Sequence, residues 1–281
     1  MSSAAALPAG GGRLEVAVDV GGTFTDGVLV DTATDRIFVA KALTTPSDPG
    51  DAIVTVIDDL LDQARAHLGA GSPASVKRVV HGTTLITNTL IERRGGRTAL
   101  VVTRGTRDVL DIARELRYDT YDLAIEYPQP LVPVEDRYEV AERLGPAGQV
   151  WQRLAPSELR ALTRKVAAGK YDAVAICLLH ASVDDRHERA VANALASRLN
   201  GTPVSTSAEV AREIGEYERM STVAANAYVQ PMGARYLATL VDRLKKLKLK
   251  ATLDIMVSNG GFTSCALACR TPIRLLESGP A

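Results

Sequence analysis

The first part of the chain alternates apolar and polar residues with a period of two, which is the pattern of β-strands. Val16, Val18 and Val20 alternate with smaller or polar residues. Two further strand-like runs, GVLVD and RIFVAKAL, lie on either side of the turn sequence DTATD. The pattern therefore predicts three consecutive short strands before any helix, the last two of them joined as a hairpin.

A helical period replaces the strand period after residue 48. Asp48 can cap a helix with Pro49 at its first position, and Gly69 can end it. The apolar residues between them fall on one helical face: Ile53, Val56, Ile57, Leu60, Leu61, Ala64 and Leu68. The runs SVKRVVHGTT, TTLITNTLIERR and TALVVTR then predict a strand, a helix and a strand. Three strands followed by alternating helices and strands indicate an α/β domain with a mixed sheet.

The rest of the sequence continues to mix helices and strands. Residues 105–133 combine a short helical start with tyrosines and prolines, so we expect a long excursion there. The next runs predict a hairpin at DRYEVAERLGPAGQVW, a helix at PSELRALTRKVAAG, a strand at YDAVAICLLH and a helix at DDRHERAVANALASRL. Pro231 is expected to break or start a helix, because proline lacks a backbone donor. Residues 251–270 predict a strand, a Gly-Gly turn and a helix.

The turn between the first two strands carries the densest candidate chemistry. Gly21 and Gly22 can adopt a positive φ and bring backbone N–H groups close to an anion. Thr23 and Thr25 add hydroxyl donors beside those amides. Two carboxylates, Asp19 and Asp26, flank the turn, and we expect no paired Lys or Arg near them. They are candidate ligands for Mg²⁺, which prefers oxygen donors from carboxylates, waters and phosphates.

A simple β-hairpin is the alternative interpretation of this turn, since Gly-Gly between alternating runs is a common hairpin signal. It accounts for the glycines but leaves the two acids and two hydroxyls unexplained. The stretch is neither G-x-G-x-x-G nor G-x-x-x-x-G-K-[ST], so it does not indicate a Rossmann or P-loop site.

Three other constellations are candidates for ligand contact. His81, Gly82, Thr83 and Thr84 close a strand and open a helix, where N–H groups and hydroxyls can meet a ligand. Two structural alternatives stay open there, a core histidine and a helix-capping threonine. Ser258, Asn259, Gly260 and Gly261 could present amides to a nucleotide or substrate, or could form only a tight turn. Ser278 and Gly279 follow the strand-like run IRLL and are predicted to begin a nucleotide-facing turn.

Composition and charge narrow the possible partners. Lys plus Arg and Asp plus Glu both total 33 in 281 residues, so no global field favours nucleic acid or an anionic membrane. No apolar run reaches the roughly 18 residues of a membrane span, and residues 1–12 predict a disordered tail rather than a signal peptide. Three cysteines argue against a disulfide framework and for a cytoplasmic protein.

Seven motifs in series resemble a known family. VDVGGTFTD resembles the first phosphate loop of the actin, sugar-kinase and Hsp70 superfamily. HGTTLITNTLIERRG, TRGTRDVLDIARE, YDLAIEYPQPLVP, EYERMSTVAANAYVQP, SNGGF and ESGPA follow in the order of the hydantoinase A / 5-oxoprolinase family. The resemblance implies an α/β, ribonuclease H-like mixed sheet with flanking helices. It assigns residues 13–205 to an N-terminal domain and 206–281 to the truncated start of a second, with an incomplete second lobe.

The same resemblance implies a function. It predicts ATP-dependent opening of a cyclic amide, such as a hydantoin, 5-oxoproline or another lactam, through phosphorylation of the carbonyl. ATP and Mg²⁺ are the implied cofactors, with Asp19, Asp26 and His81 as catalytic residues. A hydantoinase B-like subunit is the implied partner, and a homo-oligomer is possible. Two alternatives stay open: the nucleotide-handling subunit of a ketone carboxylase, and a non-catalytic fragment or scaffold subunit.

Overall fold

A computed structural model describes residues 14–45, 49–68, 75–116, 119, 121–249 and 251–276. The chain divides into two compact units. The first contains residues 1–88, 234–269 and 274–281, and the second contains residues 89–233 and 270–273. The segments 13–205 and 206–281 were defined by resemblance rather than by compactness, and they remain predictions. The predicted tail, residues 1–12, lies outside the described residues.

The first unit is built on a mixed six-stranded sheet. Its strands are β1 (Leu14–Val20), β2 (Phe24–Asp31), β3 (Arg36–Leu43), β4 (Val76–Thr83), β11 (Thr252–Met256) and β12 (Phe262–Ser264). Their order is β12-β11-β4-β1-β2-β3, with β1, β4 and β11 mutually parallel. The three consecutive strands β1, β2 and β3 pair antiparallel, which confirms the first prediction.

One face of this sheet packs against helices. The alternating residues Leu14, Val16, Val18 and Val20 are buried beneath α1 (Pro49–Leu68), together with Leu240 and Leu244 of α7 (Glu216–Lys246). Gly27 lets α1 approach the sheet, because an added Cβ would lie 2.1 Å from Cγ1 of Val56. Strand alternation therefore directs Asp19 and Asp26 to the opposite face, where both are exposed.

The second unit has an all-parallel sheet in the order β10-β9-β5-β6. The strands are β5 (Thr98–Thr103), β6 (Arg137–Val140), β9 (Ala173–Cys177) and β10 (Val204–Thr206). Every residue of β5 and β9 is buried, since both faces are covered. The second unit also contains α3 (Val109–Ile112), β7 (Arg143–Leu144), β8 (Val150–Gln152), α4 (Pro156–Ala168), α5 (Arg186–Ala196) and α6 (Ser207–Val210). The helix α2 (Leu85–Ile91) has residues in both units, and α8 (Cys265–Arg270) belongs to the first unit except for Arg270.

Buried charged side chains join the ends of these elements. Glu188 of α5 accepts hydrogen bonds from the amides of Leu178 and Ala208, both at 3.0 Å, and from Ser207 Oγ at 2.6 Å. Arg219 of α7 donates to Ser207 Oγ and to the Leu178 carbonyl, at 3.1 and 2.9 Å. Burial raises the pKa of Glu188, while these hydrogen bonds and the charge of Arg219 oppose the rise.

Two predictions for the middle and second half of the chain need correction, one in part and one in full. The predicted hairpin from residue 136 to 151 is only partly present, because Arg137–Val140 joins the parallel sheet and only β7 and β8 form the hairpin. Pro231 neither breaks nor starts a helix, since it lies inside the 31-residue α7. Proline removes the donor to the Ala227 carbonyl, four residues before it. The neighbouring Tyr228 carbonyl accepts a hydrogen bond from outside the helix, from the Gly96 amide at 2.8 Å.

Two expectations near the end of the chain are also corrected. The predicted strand IRLL is a 3-10 helix, Pro272–Leu275. The Gly-Gly turn after β11 leads into β12 rather than directly into a helix, so α8 begins only at Cys265. No helix of the described part of the chain is long and apolar enough to cross a membrane.

Candidate functional site

Two carboxylates face each other across the first hairpin. Asp19 of β1 and Asp26 of β2 are direct cross-strand partners on the exposed face of the sheet. Partial burial and the negative charge of Asp26 raise the pKa of Asp19, and a hydrogen bond with the Val20 backbone opposes the rise. Like charges directly opposite one another are unfavourable in a sheet. The pair therefore favours a bound cation.

Lys41 extends this row of charges onto β3. It pairs with Asp26 in register, and its Nζ lies 2.8 Å from Asp26 Oδ1 and 4.5 Å from the centre of the Phe24 ring. The expectation that no cation accompanies the two acids is therefore wrong. Sequence reasoning missed Lys41 because it lies 15 residues away from Asp26. Counting the register from the DTATD turn would have placed the two side by side.

The hairpin tip presents backbone donors. The Gly21 amide closes the turn on the Phe24 carbonyl at 3.0 Å. The amides of Gly22 and Thr23 have no acceptor within the described ranges. Neither glycine has a positive φ, so the expected left-handed conformation is wrong. An added Cβ at Gly22 would meet nothing within 4 Å, which leaves the space before these amides open.

Thr25 does not share this position. It is fully buried on the helix-covered face of the sheet, and its hydroxyl lies 3.0 Å from the Thr44 hydroxyl. Thr23 is exposed at the tip. The expectation that both hydroxyls lie beside the amides is therefore wrong for Thr25, because strand alternation turns it to the other face.

His81 has the geometry of a core histidine. It is 1% exposed, with Nδ1 3.2 Å from the Val18 carbonyl and Nε2 2.8 Å from the Tyr236 hydroxyl. A carbonyl only accepts, so Nδ1 donates to it and Nε2 accepts from Tyr236. Burial lowers the pKa of His81 to about 4, which keeps the ring neutral near pH 7. The catalytic role assigned to His81 remains a prediction.

The residues after His81 connect β4 and α2 to the end of β1. Gly82 and Thr83 are buried, and Thr83 Oγ1 accepts the Leu85 amide at 3.2 Å. Thr84 donates from its amide and its hydroxyl to the Val20 carbonyl, both at 3.3 Å. The Thr83 hydroxyl thus caps the start of α2, which was the structural alternative, and its contact with a ligand remains a prediction.

The turn after β11 uses most of its donors internally. The Gly260 amide donates to the Val257 carbonyl at 2.9 Å, and the Gly261 amide donates to Asn259 Oδ1 at 3.2 Å. Ser258 donates from its amide and hydroxyl to the Arg274 carbonyl. Of this motif, the exposed Asn259 amide group keeps donors available for a ligand.

The sheet brings the three motifs to one edge. Strands β11, β4 and β1 are parallel neighbours in that order, so the turns after Met256, Thr83 and Val20 lie side by side at their carboxyl ends. Ser278 and Gly279 lie outside the described residues. The carboxylates Asp19 and Asp26 fit a hard cation such as Mg²⁺, with waters and phosphate oxygens as the remaining ligands. No group of three or more metal-ligating side chains occurs among the residues with described positions.

The architecture is that of the actin, sugar-kinase and Hsp70 class, as its solved neighbours show. Residues 15–199 match the hydantoinase/oxoprolinase N-terminal region, and residues 219–281 match hydantoinase/oxoprolinase. The chain therefore belongs to the hydantoinase/oxoprolinase family. Both the predicted fold class and the predicted family are confirmed.

Three relatives illustrate the match. An uncharacterised protein of Methanocaldococcus jannaschii is 33% identical over 95% of this chain and 38% of its own length. The caprolactamase alpha subunit of Pseudomonas jessenii is 28% identical over 96% of this chain and 39% of its own. The caprolactamase crystal structure superposes with a TM-score of 0.83 over 95% of this chain and 38% of that one. Nucleotide-free acetone carboxylase superposes with a TM-score of 0.81 at 25% identity, over 95% and 39%. The chain thus spans about two fifths of the length of these relatives.

Proposed function

We propose that this chain is the nucleotide-handling part of an ATP-dependent enzyme that opens a cyclic amide. The observation that carries the proposal is the first hairpin, where the Asp19–Asp26 pair lies next to the open amides of Gly22 and Thr23. Amides at the tip suit phosphate oxygens, and carboxylates beside them suit the cation that accompanies a nucleotide. The caprolactamase relatives, which are described as ATP-dependent, support the reaction class.

The two acids have different charged neighbours, so we assign them different roles. Lys41 neutralises Asp26, whereas Asp19 has a raised pKa and a carboxylate neighbour. Asp19 is therefore the residue that gains most from a divalent cation, and Asp26 is a second ligand that remains bound to Lys41. A bound Mg²⁺ would supply charge neutralisation at the phosphates.

The proposed chemistry needs positioning more than covalent assistance. The carbonyl oxygen of the amide accepts the γ-phosphoryl group as ADP leaves, water adds to the activated carbon, and the ring C–N bond breaks as its nitrogen takes up a proton. A second water then hydrolyses the resulting acyl phosphate to a carboxylate and phosphate. In this scheme Gly22 and Thr23 hold phosphate, and Asp19 orients the cation. In this scheme His81 has a positioning role, because its hydrogen bond to the Val18 carbonyl holds in place β1, the strand that carries Asp19.

Replacement of Asp19 by Asn tests the nucleotide site. We expect Asp19→Asn to weaken Mg-ATP binding by roughly tenfold or more, which is about 1.4 kcal/mol, with unchanged folding. The matched control is Asp59→Asn, since Asp59 is exposed on α1 and away from the hairpin. Calorimetric titration measures both. Equal affinity in the wild type and Asp19→Asn would refute the site.

A second candidate is the corresponding subunit of a ketone carboxylase, favoured by the TM-score of 0.81 with acetone carboxylase. ATP consumption can be followed with hydantoin, 5-oxoproline, a lactam, and a ketone plus bicarbonate. The assay is run on this chain alone and on a form extended to the length of the relatives, with its partner subunit. Consumption that depends on bicarbonate would favour the carboxylase. Binding without any turnover would favour a scaffold subunit.

The cellular setting is part of the same proposal. We place the protein in the cytoplasm, with a hydantoinase B-like partner subunit. The three free cysteines support a reducing compartment. Relatives described as an alpha subunit of caprolactamase and a beta subunit of acetone carboxylase support a multi-subunit assembly.

A further inference from the structure

The second unit contains a cavity of about 340 Å³ between α4 and the end of α5, which we call the arginine cavity. Its lining consists of Ser157, Arg160, Thr163, Arg164 and Arg198. Arg160 and Arg164 are one turn apart on α4, and Arg198 follows the end of α5. Two separate helices therefore direct three guanidinium groups to one concavity. No carboxylate lines it.

These three arginines have no acidic partner among the described residues. The neighbouring arginines are different. Arg104 pairs with Glu158 of α4, and Arg189 and Arg212 both pair with Asp185 at the start of α5. Glu158 and Asp185 thus form ion pairs with arginines outside the cavity. The three arginines that line the cavity give it a formal charge of +3.

Unpaired like charges at this spacing oppose folding. Two equal charges four residues apart on a helix repel each other and destabilise it. The helix dipole favours a cation such as Arg198 at the end of α5. It does not stabilise Arg160 and Arg164, which lie in the middle of α4. A ligand that brings negative charge would relieve this repulsion.

The lining indicates the kind of anion. Guanidinium groups bind phosphate through two parallel hydrogen bonds, and several of them together suit a ligand with several phosphate groups. The volume lies at the small end of the range for small-molecule sites. No aromatic or aliphatic residue lines the cavity, so nothing there would recognise a base or an apolar peptide side chain. We propose that the arginine cavity binds a multivalent phosphate, either free or as the phosphate tail of a small ester.

This site is separate from the proposed nucleotide site. All five lining residues belong to the second unit, whereas the Asp19–Asp26 hairpin belongs to the first. The two proposals therefore respond to different substitutions and can fail independently.

Calorimetric titration with inorganic tripolyphosphate tests the proposal. We expect Arg160→Gln, Arg164→Gln and Arg198→Gln each to weaken binding by roughly tenfold, the loss expected for a charge-assisted hydrogen bond. Arg164→Lys should retain only part of the affinity, because lysine keeps the positive charge but lacks the planar guanidinium that forms two parallel hydrogen bonds. The matched control is Arg153→Gln, an exposed arginine without a partner among the described residues and outside the cavity.

The outcomes separate the sources of phosphate. If ATP competes with tripolyphosphate and still does so in Asp19→Asn, the result would support a phosphate-ester tail as the ligand. If tripolyphosphate binds and ATP does not compete with it, the result would support a free polyphosphate. Equal weakening by Arg153→Gln, or no weakening by any cavity substitution, would overturn the proposal as nonspecific attraction. Tighter binding of an oligoglutamate peptide than of tripolyphosphate would overturn it in favour of an acidic protein segment. Circular dichroism confirms that each variant is folded.

Discussion

The candidate chemistry of the first unit depends on single side chains. Strand alternation determines which of them lie on the exposed face, where a cation can bind. Asp19 and Thr25 are both close to the Gly-Gly turn in sequence, yet they lie on opposite faces of the sheet. Asp19 can meet a cation on the exposed face. Thr25 supports the core through Thr44. A shift of the register by one residue would exchange these roles.

His81 should make the first unit sensitive to acid. Its pKa is lowered to about 4 from 6.5, so its contribution to stability is fully present above pH 6.5 and is lost as pH falls toward 4. Each pH unit within this window costs roughly 1.4 kcal/mol, or about 3 kcal/mol in total. Urea unfolding of wild type and His81→Gln between pH 7 and pH 4 measures the effect. The exposed His67, as His67→Gln, is the control and should leave the wild-type pH dependence intact.

Gly22 and Gly95 should respond to substitution in different ways. Gly22→Val should fold normally and weaken Mg-ATP binding, since its side chain would enter the open space before the tip amides. Gly95→Ala should instead reduce stability, because its Cβ would lie 2.3 Å from the Tyr228 ring. Thermal unfolding and calorimetric titration of both variants distinguish the effects. A Gly22→Val variant with normal nucleotide affinity would support the simple hairpin.

At the scale of elements, cross-strand register assembles the charged row of the hairpin. Asp19, Asp26 and Lys41 come from three neighbouring strands and lie on one face. Their formal charges add to −1 rather than −2. The third strand therefore changes the charge of the candidate site, whose motif lies in the first two strands.

Lys41→Met should strengthen the binding of free Mg²⁺. The change removes the cation that neutralises Asp26 and leaves two adjacent carboxylates. We expect an increase of several-fold at low salt, from about 1 kcal/mol of charge interaction between groups that are exposed to water. Magnesium titration by calorimetry is the measurement, and Lys77→Met, at an exposed position of β4, is the control. Weaker magnesium binding in Lys41→Met would contradict the inference that Lys41 neutralises Asp26.

At the scale of the whole molecule, each compact unit has its own polar centre. In the first unit it is His81 with Tyr236, and in the second it is Glu188 with Ser207 and Arg219. Both centres are buried, so each lost partner leaves an unsatisfied group in the interior. Each centre is therefore expected to stabilise the unit that contains it.

Arg219→Met should destabilise the second unit by about 1–3 kcal/mol, because it removes a donor from the buried Leu178 carbonyl and a charge that opposes the raised pKa of Glu188. The double variant with Glu188→Gln should lose less than the two single variants added together. Unfolding in urea gives the energies. Hydrogen exchange should rise in β5 and β9 and not in β1 and β4. Additive energies would show that the two residues act independently.

The sequence by itself determined the family and the strongly periodic elements. Local periodicity gave the three opening strands, α1 and the buried strands, because side-chain spacing reports which face each element buries. The seven motifs placed the chain in its family, and they placed the candidate loops at strand ends. These inferences depend on neighbouring residues along the chain.

Only the tertiary structure decided which of those residues meet. Lys41 reaches Asp26 through strand pairing, His81 meets Tyr236 across 155 residues, and α7 passes through Pro231 near a donor from Gly96. The arginines of α4 and α5 form one cavity only after the two helices pack. Periodicity is a local property, whereas register, burial and charge pairing depend on contacts between distant residues, so the sequence pattern could not specify them.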